Sequence, residues 1–209
     1  QRPVTLSLAN GVTKPNAYFD ITMEDLIKAL EKVLVAGKYN GEGGLADLLN
    51  HTIKDLDLQF EFTTEDGKTW DGSESYVGTL HVKVTVGNLN YWLANPFEFD
   101  VELLPYKYVV EYNSFTATSA TVTLYKVDKD GNREAAYLPD GVDLVGQIFT
   151  KLSDGATYDD YVASGVYKEY TMVKNSYVTG RYTVTYPRLT GNYRFYATVK
   201  DVGYNIISQ

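Results

Sequence analysis

Three runs of strictly alternating apolar and polar residues constrain the fold of this chain most. In residues 56–62, 80–86 and 97–103, every second position is leucine, valine or phenylalanine, and the positions between are polar or charged. Successive side chains of a β-strand point to opposite faces, so a period of two predicts strands with one buried face. Such strands are typical of antiparallel sheets, because parallel sheets are usually buried on both faces.

Other parts of the sequence add strands and turns to this framework. Strand patterns recur in residues 106–112, 116–127, 166–173, 181–186 and 193–200. Asp128-Lys-Asp-Gly-Asn132 and Gly191-Asn192 carry the residues of tight turns, and each is predicted to close a β-hairpin. The regular spacing of strands and turns is typical of antiparallel sheets that pack face to face.

A few helices are predicted among the strands. Apolar residues at helical spacing predict helices in residues 23–35, 45–53 and 143–152, and Thr22 is the predicted N-cap of the first. The sequence therefore predicts a mainly β chain. The expected fold is an antiparallel β-sandwich or jelly-roll with two or three short helices inserted.

Residues 1–12 form a separate predicted element, a candidate donor strand. Val4, Leu6 and Leu8 alternate with Thr5 and Ser7, and Asn10-Gly11 ends the pattern with a turn signal. A strand with one apolar face completes either its own sheet or the sheet of a neighbouring molecule. Residues 13–209 are predicted to form a single β-sandwich domain; the alternative is two β domains split near residue 105.

Composition excludes several classes of function. The chain has no cysteine, a net charge of −8 and a pI of about 4.8, and it carries no basic run that would attract nucleic acid. No apolar stretch is long enough to span a membrane. Neither histidine lies in a metal-binding motif, and the sequence has no G-x-S-x-G or phosphate-binding loop, so we expect no enzyme activity and no cofactor. A start at Gln1 fits either removal of a leader or trimming of the sequence, and removal of a leader would favour an extracellular or cell-surface location.

Three residues are candidates for contact with carbohydrate. Trp70 and Trp92 have the flat rings that stack against sugars, and the alternative is that they pack over the end of a sandwich. Asn50 begins Asn50-His-Thr52, the one glycosylation sequon of the sequence, inside a predicted helix.

Two resemblances to known families rest on short features. The segment from Val122 to Gly131 resembles the strand and turn that open Cna-B-type repeats of bacterial adhesins and sortase-built pilins. That resemblance implies an isopeptide bond between Lys126 and Asn205, assisted by Glu169.

The second resemblance covers the profile of the whole chain. The first strand with its Asn10-Gly11 break, the number of strands and the cysteine-free, tyrosine- and threonine-rich composition resemble secreted donor-strand filament subunits, the archaeal bundling pilins and their TasA-like bacterial relatives. In that family the first strand of one subunit fills a groove in the next. The resemblance implies that Val4, Leu6 and Leu8 are buried in an acceptor copy, so that the partner is another copy of the chain.

Together these observations predict a non-enzymatic extracellular structural subunit, which polymerises into a filament or pilus by donor-strand complementation. The alternative from a different class is a surface adhesin or carbohydrate-binding β-sandwich module, whose partners are surface glycans.

Overall fold

The computed structural model describes residues 2–38, 53–201 and 203–208. The chain is mainly β, with 48% strand and 11% helix, and these residues form several antiparallel sheets and two α-helices. The predicted fold class is therefore confirmed, and the arrangement agrees with a β-sandwich. The chain divides into two compact units, Gln1–Pro105 and Tyr106–Gln209, here called unit 1 and unit 2. Their boundary lies where the two-domain alternative divides the chain.

The described residues of unit 1 form two sheets and one α-helix. Its elements are β1 (Arg2–Leu8), β2 (Asn16–Tyr18), α1 (Met23–Glu31), β3 (Leu34–Lys38), β4 (Leu58–Thr63), β5 (Gly78–Val86), β6 (Tyr91–Leu93) and β7 (Phe97–Leu104), with a 3-10 turn at Ile53–Leu56. One sheet has the strand order β3-β1-β6 and the other has the order β2-β7-β5-β4. Residues from both sheets and from α1 share one apolar core.

The alternating runs of unit 1 place their apolar residues in this core. Leu80, Val82 and Val84 of β5 are at most 1% exposed, while the residues between them face solvent. Leu26 and Leu30 of α1 pack into the same core. Burial of one face explains why the strands of this sheet keep a strict period of two.

The first predicted helix is confirmed in part. The Thr22 hydroxyl accepts a hydrogen bond from the Asp25 backbone nitrogen at the start of α1, as expected of an N-cap. The helix ends at Glu31 rather than at residue 35, because residues 34–38 form β3 and pair with β1. The predicted helix in residues 45–53 lies outside the described residues except for Ile53, and Asn50 lies outside them too.

In unit 2, the residues that the structure describes also form two sheets. Its elements are β8 (Tyr106–Phe115), β9 (Ser119–Asp128), β10 (Arg133–Ala135), β11 (Leu144–Thr150), α2 (Tyr158–Ser164), β12 (Lys168–Thr171), β13 (Val173–Lys174), β14 (Arg181–Thr185), β15 (Tyr193–Val199) and β16 (Ile207–Ser208). The larger sheet has the order β13-β14-β9-β8-β16, with β10 also paired to β9, and the smaller has the order β12-β11-β15. The hairpin predicted at Asp128–Asn132 is confirmed, because it joins the antiparallel strands β9 and β10.

The helix predicted in residues 143–152 is wrong, because this segment is the central strand β11. Leu144 and Ile148 pack into the main core of unit 2, while Phe149 packs against Tyr161 of α2. Burial of both faces puts apolar residues at successive positions and removes the period of two. The apolar pairs Leu144-Val145 and Ile148-Phe149 lie four residues apart, and this spacing also occurs on the apolar face of a helix.

Two further features of unit 2 differ from expectation. Gly191-Asn192 does not close a hairpin, because β14 pairs with β9 in one sheet and β15 pairs with β11 in the other. The segment between β14 and β15 instead crosses from one sheet to the other. Helix α2 was not predicted, although Thr157 and Asp160 have the spacing of a capping box in the sequence. In the structure, the side chain of each of these two residues accepts a hydrogen bond from the backbone nitrogen of the other.

Candidate functional site

Strand β1 is the inner strand of its sheet. It pairs antiparallel with β3 from Val4↔Lys38 to Leu8↔Leu34, and parallel with β6 from Arg2↔Tyr91 to Val4↔Leu93. Among the described strands, β3 and β6 have no other hydrogen-bonded neighbour. Removal of β1 would therefore leave two open strand edges facing each other, roughly 10 Å apart, which is the space that one strand fills.

The apolar face of β1 lies in the core of its own unit. Val4 is fully buried, Leu6 is 9% exposed, and Leu8 packs half-buried at the end of the strand. Ser7 on the other face is exposed. The structure thus brings together the three residues that the sequence singled out, and it places them in the folded-back arrangement.

A tight connection, residues 9–15, joins β1 to β2. The backbone nitrogen of Val12 donates to the carbonyl oxygen of Ala9 at 3.0 Å, and Gly11 has a φ of +85°, which favours glycine. The backbone nitrogen of Ala9 donates to the carbonyl oxygen of Val33. Fully extended, such a segment spans at most roughly 25 Å, enough to carry β1 away from its own unit.

The strands that flank β1 were missed in the sequence. Residues 34–38 follow α1 directly, so their apolar residues extended the helical pattern. Tyr91–Leu93 is only three residues long, too short to establish a period. The available signals were the β-favouring composition of Tyr91-Trp-Leu93 and the turn residues Asn88 and Asn90 before it.

The structure places the two tryptophans in different surroundings. Trp70 is 6% exposed and lies edge-on to Phe62, with ring centroids 5.3 Å apart, so its ring is packed inside unit 1. Its indole nitrogen is buried without a hydrogen-bond partner. Trp92 on β6 is 43% exposed and is the register partner of Pro3 on β1. Trp92 is therefore the more exposed of the two tryptophans.

The contacts of the described residues do not join the three members of the isopeptide set. The Lys126 ammonium lies 4.4 Å from the centre of the Tyr106 ring and 5.7 Å from that of Tyr108. Glu169 lies on β12 of the other sheet and accepts a hydrogen bond from Gln147. The hydrogen bonds and ion pairs of the described part of the chain connect Asn205 with neither of them.

A charged cluster lies on the solvent face of the four-stranded sheet in unit 1. The two ring nitrogens of His81 on β5 each lie 3.1 Å from a carboxylate oxygen of β7, one from Glu98 and one from Asp100. These hydrogen bonds, the one with Glu98 first, raise the pKa of His81 above its usual range. Among the described residues, no group of three or more histidine, cysteine or acidic side chains has the geometry to hold a metal ion.

This cluster predicts a pH dependence for unit 1. The raised pKa of His81 means that its protonated form stabilises the fold below about pH 6.5, and that this contribution disappears as pH rises through the folded-state pKa. At pH 5.5 we expect the urea midpoint of wild type to be higher than that of His81→Gln, by the small amount typical of an exposed ion pair. At pH 8.5 we expect the two urea midpoints to be equal. A midpoint difference of equal size at both pH values would contradict this.

The comparisons with known proteins identify no relative of this chain. No protein-family model, curated protein or solved structure matches the chain. Within the described ranges, neither helix has the length and apolar character needed to cross a membrane. The function proposed below therefore rests on the geometry of the chain itself.

Proposed function

We propose that this chain is a structural subunit of an extracellular polymer and that its copies are joined by exchange of β1. The observation that supports the proposal is the position of β1 as the inner strand between β3 and β6. An inner strand makes backbone hydrogen bonds on both sides. A copy whose own β1 is inserted into another copy therefore has an empty strand position, or slot, between β3 and β6. Only another β-strand can form the hydrogen bonds on both sides of this slot. The β1 of a second copy fits that slot in sequence and register.

Exchange keeps nearly all of the contacts of the single chain. Val4 and Leu6 are buried in both forms, and burial of each stabilises the strand in its slot by about 1.5–3 kcal/mol. The equilibrium between the two forms therefore depends on protein concentration and on the connection at residues 9–15. Because both sides of β1 must separate first, exchange is expected to be slow.

The way in which copies exchange β1 determines whether a closed dimer or an open chain of copies forms. Two copies that trade strands reciprocally form a closed dimer, whereas copies that each give to one neighbour and accept from another form an open chain. The second arrangement is the donor-strand polymer that we propose.

Introduced cysteines test the proposal, because the chain has none of its own. Thr5 on β1 pairs with Gly37 on β3, and a Cβ atom at position 37 would lie 3.1 Å from the Thr5 hydroxyl oxygen. A Thr5→Cys/Gly37→Cys variant should therefore form a disulfide. After refolding at high protein concentration, we expect a ladder of covalent multimers on a non-reducing gel and filaments by negative-stain electron microscopy.

Two controls accompany this experiment. Gln59→Cys/Thr85→Cys joins β4 to β5, register partners away from β1, and should give only monomers on the same gel. Protein without residues 1–12 should form no filaments. If the Thr5→Cys/Gly37→Cys disulfide stays within single chains at every concentration, β1 is not exchanged and the proposal is wrong.

The connection also predicts a variant that favours exchange. Gly11 has a φ of +85°, and no atom lies within 4 Å of an added Cβ, so Gly11→Ala strains the closed turn by about 1–2 kcal/mol without a clash. An extended connection relieves this strain, so we expect about a five- to thirtyfold increase in the exchanged fraction, measured by light scattering after size-exclusion chromatography.

Gly67→Ala is the matched control for Gly11→Ala. Gly67 lies in an exposed turn of the same unit, has a φ of +83° and likewise has no atom within 4 Å of an added Cβ. Its substitution should lower the stability of unit 1 by a similar amount and leave the exchanged fraction unchanged. Equal oligomerisation of the two variants would indicate general destabilisation instead of a hinge effect.

A further inference from the structure

An open groove of about 470 Å³ lies in unit 2, where three segments meet. These are the turn between β8 and β9, the residue after β11, and the segment between β14 and β15. The groove is lined by the apolar side chains of Phe115, Leu189 and Tyr193 and the polar side chains of Lys151 and Asn192. Its volume lies within the roughly 300–1,000 Å³ of small-ligand pockets.

Hydrogen bonds hold the three segments together. The Tyr186 hydroxyl lies 2.6 and 2.8 Å from the carbonyl oxygens of Thr116 and Ser119, and the two carbonyl groups share its single donor hydrogen. The backbone nitrogen of Leu189 donates to the carbonyl oxygen of Ala117, and that of Lys151 donates to the carbonyl oxygen of Asn192. The walls of the groove are therefore fixed before any ligand arrives, which lowers the entropic cost of binding.

The aromatic rings of the groove are held by neighbouring rings. Phe115 is 37% exposed and stacks on Phe195, with ring centroids 5.5 Å apart and planes at 25°. Tyr193 packs against Tyr167, with centroids 5.2 Å apart. A flat apolar face fixed in this way matches the C–H face of a pyranose ring, while side-chain amides such as that of Asn192 bond to sugar hydroxyls.

The positive charge of Lys151 in the groove favours a sugar that carries a negative charge. Lys151 is the one charged side chain among the described residues that line it, and the described contacts give Lys151 no ion pair. The chain as a whole carries a net charge of −8, so the positive charge of Lys151 is opposite in sign to the charge of the chain. A carboxylate on the ligand would complete this pair.

We propose that this groove binds an acidic saccharide, an oligosaccharide of uronic acids. Lys151 pairs with a ring carboxylate, Phe115 stacks against the sugar face, and Asn192 bonds to hydroxyl groups. The site shares no residue with Trp70 and Trp92, and it does not depend on β1 or on polymerisation. It assigns an adhesive role to unit 2.

Isothermal titration calorimetry with trigalacturonic acid at low ionic strength tests this proposal on the full chain. The reference ligand is the same trisaccharide with its carboxylates converted to methyl esters, which keeps the rings and removes the charge. We expect wild type to bind the acid about tenfold more tightly than the ester. Lys151→Gln should remove this preference, and Phe115→Leu should weaken binding of both ligands several-fold.

Lys129→Gln is the matched charge control, because Lys129 is an exposed lysine of the same unit in the β9–β10 turn. It should leave the preference unchanged. No detectable binding at saccharide concentrations up to about 10 mM would overturn the proposal. Equal affinity for acid and ester would do the same, as would equal loss in both lysine variants or equally tight binding of tri-glutamate.

Discussion

Val4→Asp is expected to unfold unit 1. Val4 is fully buried on the inner strand of the three-stranded sheet, within the core that both sheets and α1 share. A carboxylate at this position would lose its hydration without gaining a partner, which costs several kcal/mol. That cost is a large part of the about 5–15 kcal/mol that stabilises an ordinary domain. The variant also could not act as a donor strand, since the acceptor slot has the same lining.

Tryptophan fluorescence during urea denaturation measures this effect in unit 1 alone, because Trp70 and Trp92 both lie in that unit. Ser7→Asp is the matched control: it adds the same charge to the same strand, on the exposed face. We expect Ser7→Asp to change the free energy of unfolding by at most about 0.5 kcal/mol. A wild-type midpoint for Val4→Asp would show that β1 lies outside the core in solution.

Gly180→Ala is expected to have the largest effect on unit 2. Gly180 has a φ of +78°, and a Cβ atom there would lie 2.6 Å from the carbonyl oxygen of Leu124 and 2.9 Å from the backbone nitrogen of Ala136. Both neighbours are backbone atoms: Leu124 lies on β9, and Ala136 directly follows β10. The carbonyl oxygen of Gly180 also accepts a hydrogen bond from the backbone nitrogen of Leu124. The sheet must therefore shift to admit a methyl group, and we expect a loss of more than about 3 kcal/mol.

Gly131→Ala separates the steric clash from the backbone strain. Gly131 has nearly the same φ, +81°, but no atom lies within 4 Å of an added Cβ. We expect it to cost only about 1–2 kcal/mol. Near-UV circular dichroism during thermal unfolding suits the measurement, because most of the 19 tyrosines lie in unit 2. Equal losses in the two variants would mean that unit 2 adjusts to the methyl group without cost.

The sequence predicted those strands whose two faces differ. β5 and β7 each bury one face, so their periodicity survives in the order of residues and both could be located. β11 lies between the main core and α2, and burial of both its faces left a pattern that a helix would also produce. β3 and β6 were missed for another reason: each is short, and what makes it a strand is its pairing with β1, distant in sequence.

The same distinction applies to the candidate sites. Val4, Leu6 and Leu8 were found because they lie within one strand and share its period. The burial of Trp70 depends on contact with Phe62 across a turn, which its own neighbours in sequence do not encode. The groove of unit 2 draws Phe115, Lys151 and Tyr193 from three separate segments, so no local motif marks it.

The hydrogen bonds on both sides of β1 also determine how a joint made from it would bear load. In the antiparallel pairing with β3, hydrogen bonds run perpendicular to the strand axis. Tension applied along the axis of β1 would load the bonds to β3 and β6 in shear, so that they would have to break together instead of one after another. A joint that exchanges slowly in solution would therefore also resist mechanical extension along that axis.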